Sequence, residues 1–416
     1  MFTSRTLPIL IGMLMTFSMV IASFVDTLSR DSYFILSYLS VIVTLWLVFF
    51  KKMSLFRDRA VLLVAVSFLL FGISRVAWSF LMNDDGLSIY KNYSPTASRI
   101  ILGAFIFCVC ILLKNELKCF FSNKYISSVI KVLPLYILLY ALYDIFVLHK
   151  DRVELDTNRA TVTAYFISAI FFVSLHFCSQ VKNKLNVSLF FTNLIVSNAI
   201  IILTQTRAAI AIYLLLSVFY TVIVFRKSLN IKKISMVVVL LLIFAGTSYE
   251  FLYKSRINEA ITETQGYDVT KPGGSLGDRY TMWYAGLSAF KHAPMGESFQ
   301  ARNDFISEKI AAGAISDSIS VYLTIHLHSE LIEVLSLQGI IGGVLLVLIY
   351  LSLLYAGIRN KNVLLIMITL CLAGYGLTDV LFFSRESITV YLLCIAVALV
   401  TGGKEETAEQ PLPIDR

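Results

Sequence analysis

Residues 160–225 read ATVTAYFISAIFFVSLHFCSQVKNKLNVSLFFTNLIVSNAIIILTQTRAAIAIYLLLSVFYTVIVF, three apolar runs joined only by short polar stretches around Lys182-Asn183-Lys184 and at Thr204-Gln205-Thr206-Arg207. Each run has about the 20 residues needed to cross a hydrocarbon core. Their Leu, Ile, Val and Phe are continuous and lack the period-two alternation of barrel strands, so the segments read as helices that satisfy their own backbone groups within lipid.

Working outward, similar runs occupy 7–25, 33–50, 60–81, 96–113 and 125–148 on one side, and 234–251, 339–358, 363–382 and 387–401 on the other. Composition agrees: 57% of the 416 residues are hydrophobic and only 15% are charged, too little polar surface to coat a water-soluble globule. The expected fold is therefore an all-α polytopic membrane protein of about twelve transmembrane helices. Residues 1–251 hold nine of them, 252–338 form one large external loop, 339–401 hold three more and 402–416 form a tail. The first run is not followed by a small-residue cleavage site and a soluble chain, so no removed signal peptide is expected.

Lys and Arg in the loops set the orientation. Counted over the short loops and tails, one alternating set carries 18 of them, including Lys51, Lys52, Arg57 and Arg59, and Arg226, Lys227, Lys232 and Lys233, whereas the other set, the large loop left out, carries 8. Both termini are expected to be cytoplasmic and the large loop external. The net charge of +8 then lies against anionic lipid head groups and requires no nucleic acid. The six cysteines avoid the large loop, so no disulfide framework is implied; Cys108 and Cys110 read as buried small hydrophobes rather than metal ligands.

Within the large loop, Pro272, Gly273, Gly274 and Gly277 mark a turn, and Tyr280–Phe290 reads as a short helix whose Trp283, Tyr284 and Phe290 suit a membrane interface. Asp278 would be its N-cap. His326 to Gln338 reads as a further helix. On its wheel His326, Ser329, Glu330 and Glu333 share the polar arc, while His328 falls beside Ile332 and Leu335. A helix starting near Ser329 would instead leave His328 at its N-terminus, where the dipole favours a neutral imidazole. The wheel does not choose between the two histidines.

Other polar residues invite chemistry. Gln205, Thr204 and Thr206 beside Arg207 make a cluster of donors where a plain turn would need fewer. Arg75, Asp144, Asp379 and Arg385 sit in or at the ends of apolar runs, where charge is costly; Arg75 and Asp379 read equally well as functional groups or as internal ion-pair struts. Asp84-Asp85-Gly86 reads as a turn rather than a cation site. HExxH, CxxC, Walker and GxSxG patterns are absent from the sequence, which disfavours zinc chemistry and ATP hydrolysis.

Taken together these residues resemble the O-antigen ligases, membrane glycosyltransferases of a wider ligase and polymerase superfamily. The most specific likeness is His328-Ser329, nine residues, then Gly339-Ile340-Ile341-Gly342. Leu203–Arg207, Leu276–Tyr280 and Leu377–Val380 with Arg385 resemble other segments of the family. The resemblance implies a fold like the C-type glycosyltransferases in the bacterial inner membrane, with a periplasmic site. It implies that O-antigen passes from undecaprenyl diphosphate to a sugar of the lipid A core, with inversion and without a metal or other cofactor. On that reading His328 is the base and Arg207 and Arg279 bind the diphosphate, with support from Gln205, His326, Ser329, Glu330, Asp379 and Arg385. The competing functions are an O-antigen polymerase, which would share a basic external site, and a lipid-linked sugar transporter, which would show two similar halves about a cytoplasmic link.

Overall fold

The computed structural model describes residues 6–82, 90–181, 183–226, 246 and 267–403. The expected span 234–251, the turn at Asp84 and Asp85, and the tail from 404 onward lie outside the described residues, as does the loop at Ser228. The described chain is helical, with no strand.

Among the described residues nine α-helices precede residue 226: α1 (Thr6–Ile21), α2 (Asp26–Phe49), α3 (Arg59–Leu81), α4 (Tyr90–Leu112), α5 (Lys114–Phe121), α6 (Lys124–Phe146), α7 (Ala160–Ser179), α8 (Lys184–Leu203) and α9 (Arg207–Phe225). After 267 come α10 (Gly274–His292), α11 (Phe299–Ala311), α12 (Glu330–Arg359), α13 (Val363–Gly376) and α14 (Arg385–Thr401). Among the described residues eight helices are long and apolar enough to cross a membrane, and α1 and α13 are shorter apolar helices. Thus every expected span inside the described residues falls on a helix, and the chain is a multi-pass all-α membrane protein.

The bundle has a fully enclosed centre and a greasy outside. α7 and α14 are buried on nearly all faces. The outer helices turn Ile42, Phe49, Leu139, Leu215 and Leu351 outward, the distribution a lipid solvent demands. Small polar side chains stitch the packed faces: Ser67 to Ser352 at 2.9 Å joins α3 to α12, and the Tyr375 hydroxyl donates to Ser168 at 2.9 Å between α13 and α7. Such contacts contribute about 0.6 kcal/mol each on average, so packing carries most of the association. Asp144 is a structural group. Its carboxylate accepts from the backbone N–H groups of Glu154 and Leu155 at 3.1 and 2.7 Å and meets Lys150 at 3.3 Å, folding the turn after α6.

Residues 267–338 carry a small core of their own, made of Met282, Ala285, Ile306, Ile315, Ile319, Leu323 and Leu327. A second cluster, Trp78, Tyr93, Phe299 and Leu337, fastens this segment to α3 and α4. The Trp78 indole donates to the Glu297 carbonyl at 3.0 Å.

Two local expectations are corrected. The interfacial helix starts at Gly274 with Gly273 as N-cap at φ 56°, so Asp278 is inside α10 and its carboxylate accepts instead from Ser318. No helix covers 326–329: α12 begins at Glu330 with Ser329 as N-cap, and His328 adopts a left-handed φ of 49° that ends helical continuity. The wheel that grouped His326 with Glu330 therefore described a helix that does not form there.

Candidate active site

The glycine spacing that marks the sequence has a backbone cause. At Gly339, φ 65° and ψ −160°, α12 breaks. A Cβ there would lie 2.4–2.5 Å from backbone atoms of Pro294, Met295 and Gly296. The break lets Ile340 N–H donate to the Pro294 carbonyl at 2.9 Å and Glu297 N–H to Leu337 at 3.0 Å. The 294–297 segment thereby packs directly against α12 at the break.

In that loop the pattern His-Leu-His splits in two. Leu327 is fully buried in the small core, while His326 and His328 lie with ring centres 4.4 Å apart. Both approach Asp379 from the loop after α13: His328 Nδ1 is 3.4 Å from its Oδ1, and His326 Nε2 is 3.7 Å from the same atom. The 3.4 Å contact sits at the outer edge of hydrogen-bond range, and His328 Nδ1 has no closer partner among the described residues. Catalytic contacts are often long before substrate closes them. Tyr322 packs edge-on against His328, and the Trp283 indole donates to the His328 carbonyl at 3.3 Å.

Burial holds the His326 imidazole below its ordinary value, against the opposing pull of Asp379. Burial also pushes the Asp379 carboxyl up, but the hydrogen-bonding and charge of His328 and His326 outweigh it and leave the group below the usual carboxylate range. Asp379 is thus an anion at neutral pH facing two imidazoles. Their three donor atoms lie within 4.8 Å of one another and are the one set among the described residues able to gather a metal ion.

Beneath this pair lies a buried charged layer. Glu333 meets Arg302 Nη1 at 3.0 Å, accepts from the Tyr93 hydroxyl at 2.6 Å and from Leu327 N–H at 2.9 Å. Glu330 accepts from Phe382 N–H at 2.9 Å. Arg75 is fully buried, 4.7 Å above the Tyr93 ring and within electrostatic reach of both glutamates. Arg302 escaped the sequence reading because an arginine in a polar loop is ordinary; only its complete burial marks it.

The other nominated residues spread over the same end of the bundle. Arg279, half-buried on α10, acts electrostatically on the Tyr165 hydroxyl, as does Asp379, so the two share one neighbourhood. Arg207 opens α9 directly after a tight turn in which Gln205 takes φ 53° and donates to the Asp151 carbonyl at 2.8 Å; the Arg207 guanidinium is exposed. Arg385 opens α14 and lies in the field of Arg99, in a second polar group where Arg159 pairs with Glu386 at 2.8 Å. The structure therefore gathers His326, His328, Asp379, Ser329 and Glu330 closely, and sets Arg385 in the second polar group.

Residues 191–347 match a family described as O-antigen ligase. That stretch holds Arg207, Arg279, both histidines and the Gly339–Gly342 break, and stops short of Asp379. The chain is also 27% identical over 411 residues to the O-antigen ligase of Escherichia coli strain K12, covering 97% of this chain and 96% of that relative. Family match over residues 191–347 and near end-to-end similarity converge: the chain is similar to O-antigen ligases along nearly its whole length.

Proposed function

We propose that this protein transfers O-antigen polysaccharide from undecaprenyl diphosphate to a sugar of the lipid A core, as an inverting glycosyltransferase with its site on the periplasmic face of the inner membrane. The observation that carries the reading is His328 Nδ1 held 3.4 Å from the anionic Asp379. A sugar hydroxyl is a weak nucleophile at neutral pH and needs a positioned base. With Nδ1 turned to Asp379, Nε2 of His328 is the atom that takes the acceptor proton, and Asp379 stabilises the imidazolium that results.

The acceptor oxygen forms its bond to the anomeric carbon as the bond from that carbon to the diphosphate breaks, from the opposite face. The electron pair leaves with undecaprenyl diphosphate. Arg207 and Arg279 are permanent cations with planar donor forks that suit a departing diphosphate. They supply the charge that a metal ion would otherwise bring. The apolar outer faces let both amphiphilic substrates keep their tails in hydrocarbon.

The test is turnover of purified protein with lipid-linked O-antigen and lipid A-core, with and without EDTA. Product joined to the core in both conditions is expected. Product joined only to further repeat units would indicate a polymerase, and movement of donor without a new glycosidic bond would indicate a transporter. Loss of product in EDTA would assign the His326, His328 and Asp379 donors to a metal instead.

A further inference from the structure

Resting on the reading of His328 as base, we propose that Glu330 and Glu333 are positioning residues that set the spacing of the His328–Asp379 pair, each by holding the backbone of one of the two loops that carry it. They stand three residues apart in the first turn of α12, on one side of the helix, and each is almost wholly buried. Glu333 Oε2 accepts from the N–H of Leu327, the residue between the two histidines. Glu330 Oε2 accepts from the N–H of Phe382, three residues past Asp379. Both bonds are 2.9 Å, so one rigid helical turn grips the histidine loop with one carboxylate and the aspartate loop with the other.

Two buried carboxylates are an expensive way to fasten a loop unless their charge is matched. For Glu333 it is: Arg302 pairs with it at 3.0 Å. Fully buried Arg75 reaches Glu330 only electrostatically, without a hydrogen bond between them. Charge-assisted hydrogen bonds are shorter and roughly twice as strong as neutral ones, which suits the grip of Glu333, while Glu330 needs only an acceptor of the right length. The left-handed backbone of His328 adds to the need, since a conformation that L-residues avoid persists only where its surroundings impose it.

The experiment uses full-length protein in membranes, with Glu330→Asp, Glu333→Asp, Glu330→Gln and Asp379→Asn, alone and combined. Aspartate keeps the charge and draws the acceptor back by one carbon, loosening the grip. Each aspartate variant is expected to lower kcat on the order of 10- to 100-fold with KM for the donor unchanged, since displacement of about 1 Å can cost that much. Glu330→Gln keeps an acceptor at full length and should retain most of the turnover. Combined with Asp379→Asn, either aspartate variant should cost no more than Asp379→Asn alone, because they act through the same pair.

Unchanged kcat in both aspartate variants, or losses that multiply with Asp379→Asn, would overturn the proposal and leave the glutamates as cement between loop and bundle. If Glu330→Asp fails to accumulate, Glu333→Asp makes the same measurement through the other loop. Failure of the base reading itself appears separately, as wild-type turnover in His328→Ala.

Discussion

At the residue scale the two histidines differ in what surrounds them. His328 presents Nδ1 to Asp379 at 3.4 Å, and His326 approaches the same oxygen at 3.7 Å through Nε2. His328→Ala is expected to slow turnover by roughly 10²- to 10⁴-fold, the usual loss for a general base, with donor binding intact. His326→Ala should be milder, and parallel measurements of turnover and donor binding check both. Arg207→Ala and Arg279→Ala should nearly abolish transfer at equal expression, and lysine should rescue only in part because a point charge replaces a bidentate fork. Burial also makes His326 a pH-sensitive element of stability. Its folded value lies below the ordinary 6.5, so as pH falls through 6.5 the unfolded chain takes up a proton that the folded chain refuses. Stability is therefore fully present above that point and declines below it. Thermal unfolding in detergent should show this acid decline, and His326→Gln should flatten it.

At the element scale the break in α12 is the feature on which the site depends. Gly339 lies in a region of backbone conformation open essentially to glycine, and its missing side chain is what admits the 294–297 contact. Gly339→Ala should therefore displace that contact and remove both turnover and much of the heat resistance of the folded protein. Gly313 is the control. Its φ of 69° also favours glycine, but a Cβ there meets nothing within 4 Å. Gly313→Ala should cost about 1 kcal/mol of strain and leave turnover intact. Equal loss in the two variants would mean that the contact at Gly339 is unimportant.

For the whole molecule, the distribution of Lys and Arg over the short loops carries the orientation, with 18 on one set against 8 on the other. Ser275→Cys, at the exposed start of α10, should be modified in intact cells by a reagent that does not cross the inner membrane, and Ser228→Cys should not. A Cys119→Ser background removes the exposed native thiol. Labelling at Ser228 and not at Ser275 would invert the orientation and move the site to the opposite face.

The helices were legible from the sequence because a bilayer admits few alternatives: runs of about 20 apolar residues must become helices, and the described runs did. The family resemblance was legible for a related reason, since Arg207, Arg279 and the His328-Ser329 to Gly339 and Gly342 spacing are local patterns along the chain. The helix wheel failed at His326 because a left-handed residue at His328 ends periodicity, and no periodic argument foresees a single backbone angle. Asp379 was nominated only as support, and its distance from both histidines arises from loops more than 50 residues apart. Arg302 and the grip of Glu330 and Glu333 on those loops were invisible for the same reason. Periodicity along one chain reports which face of a helix is apolar; which buried charge meets which distant backbone group is decided only when the helices pack.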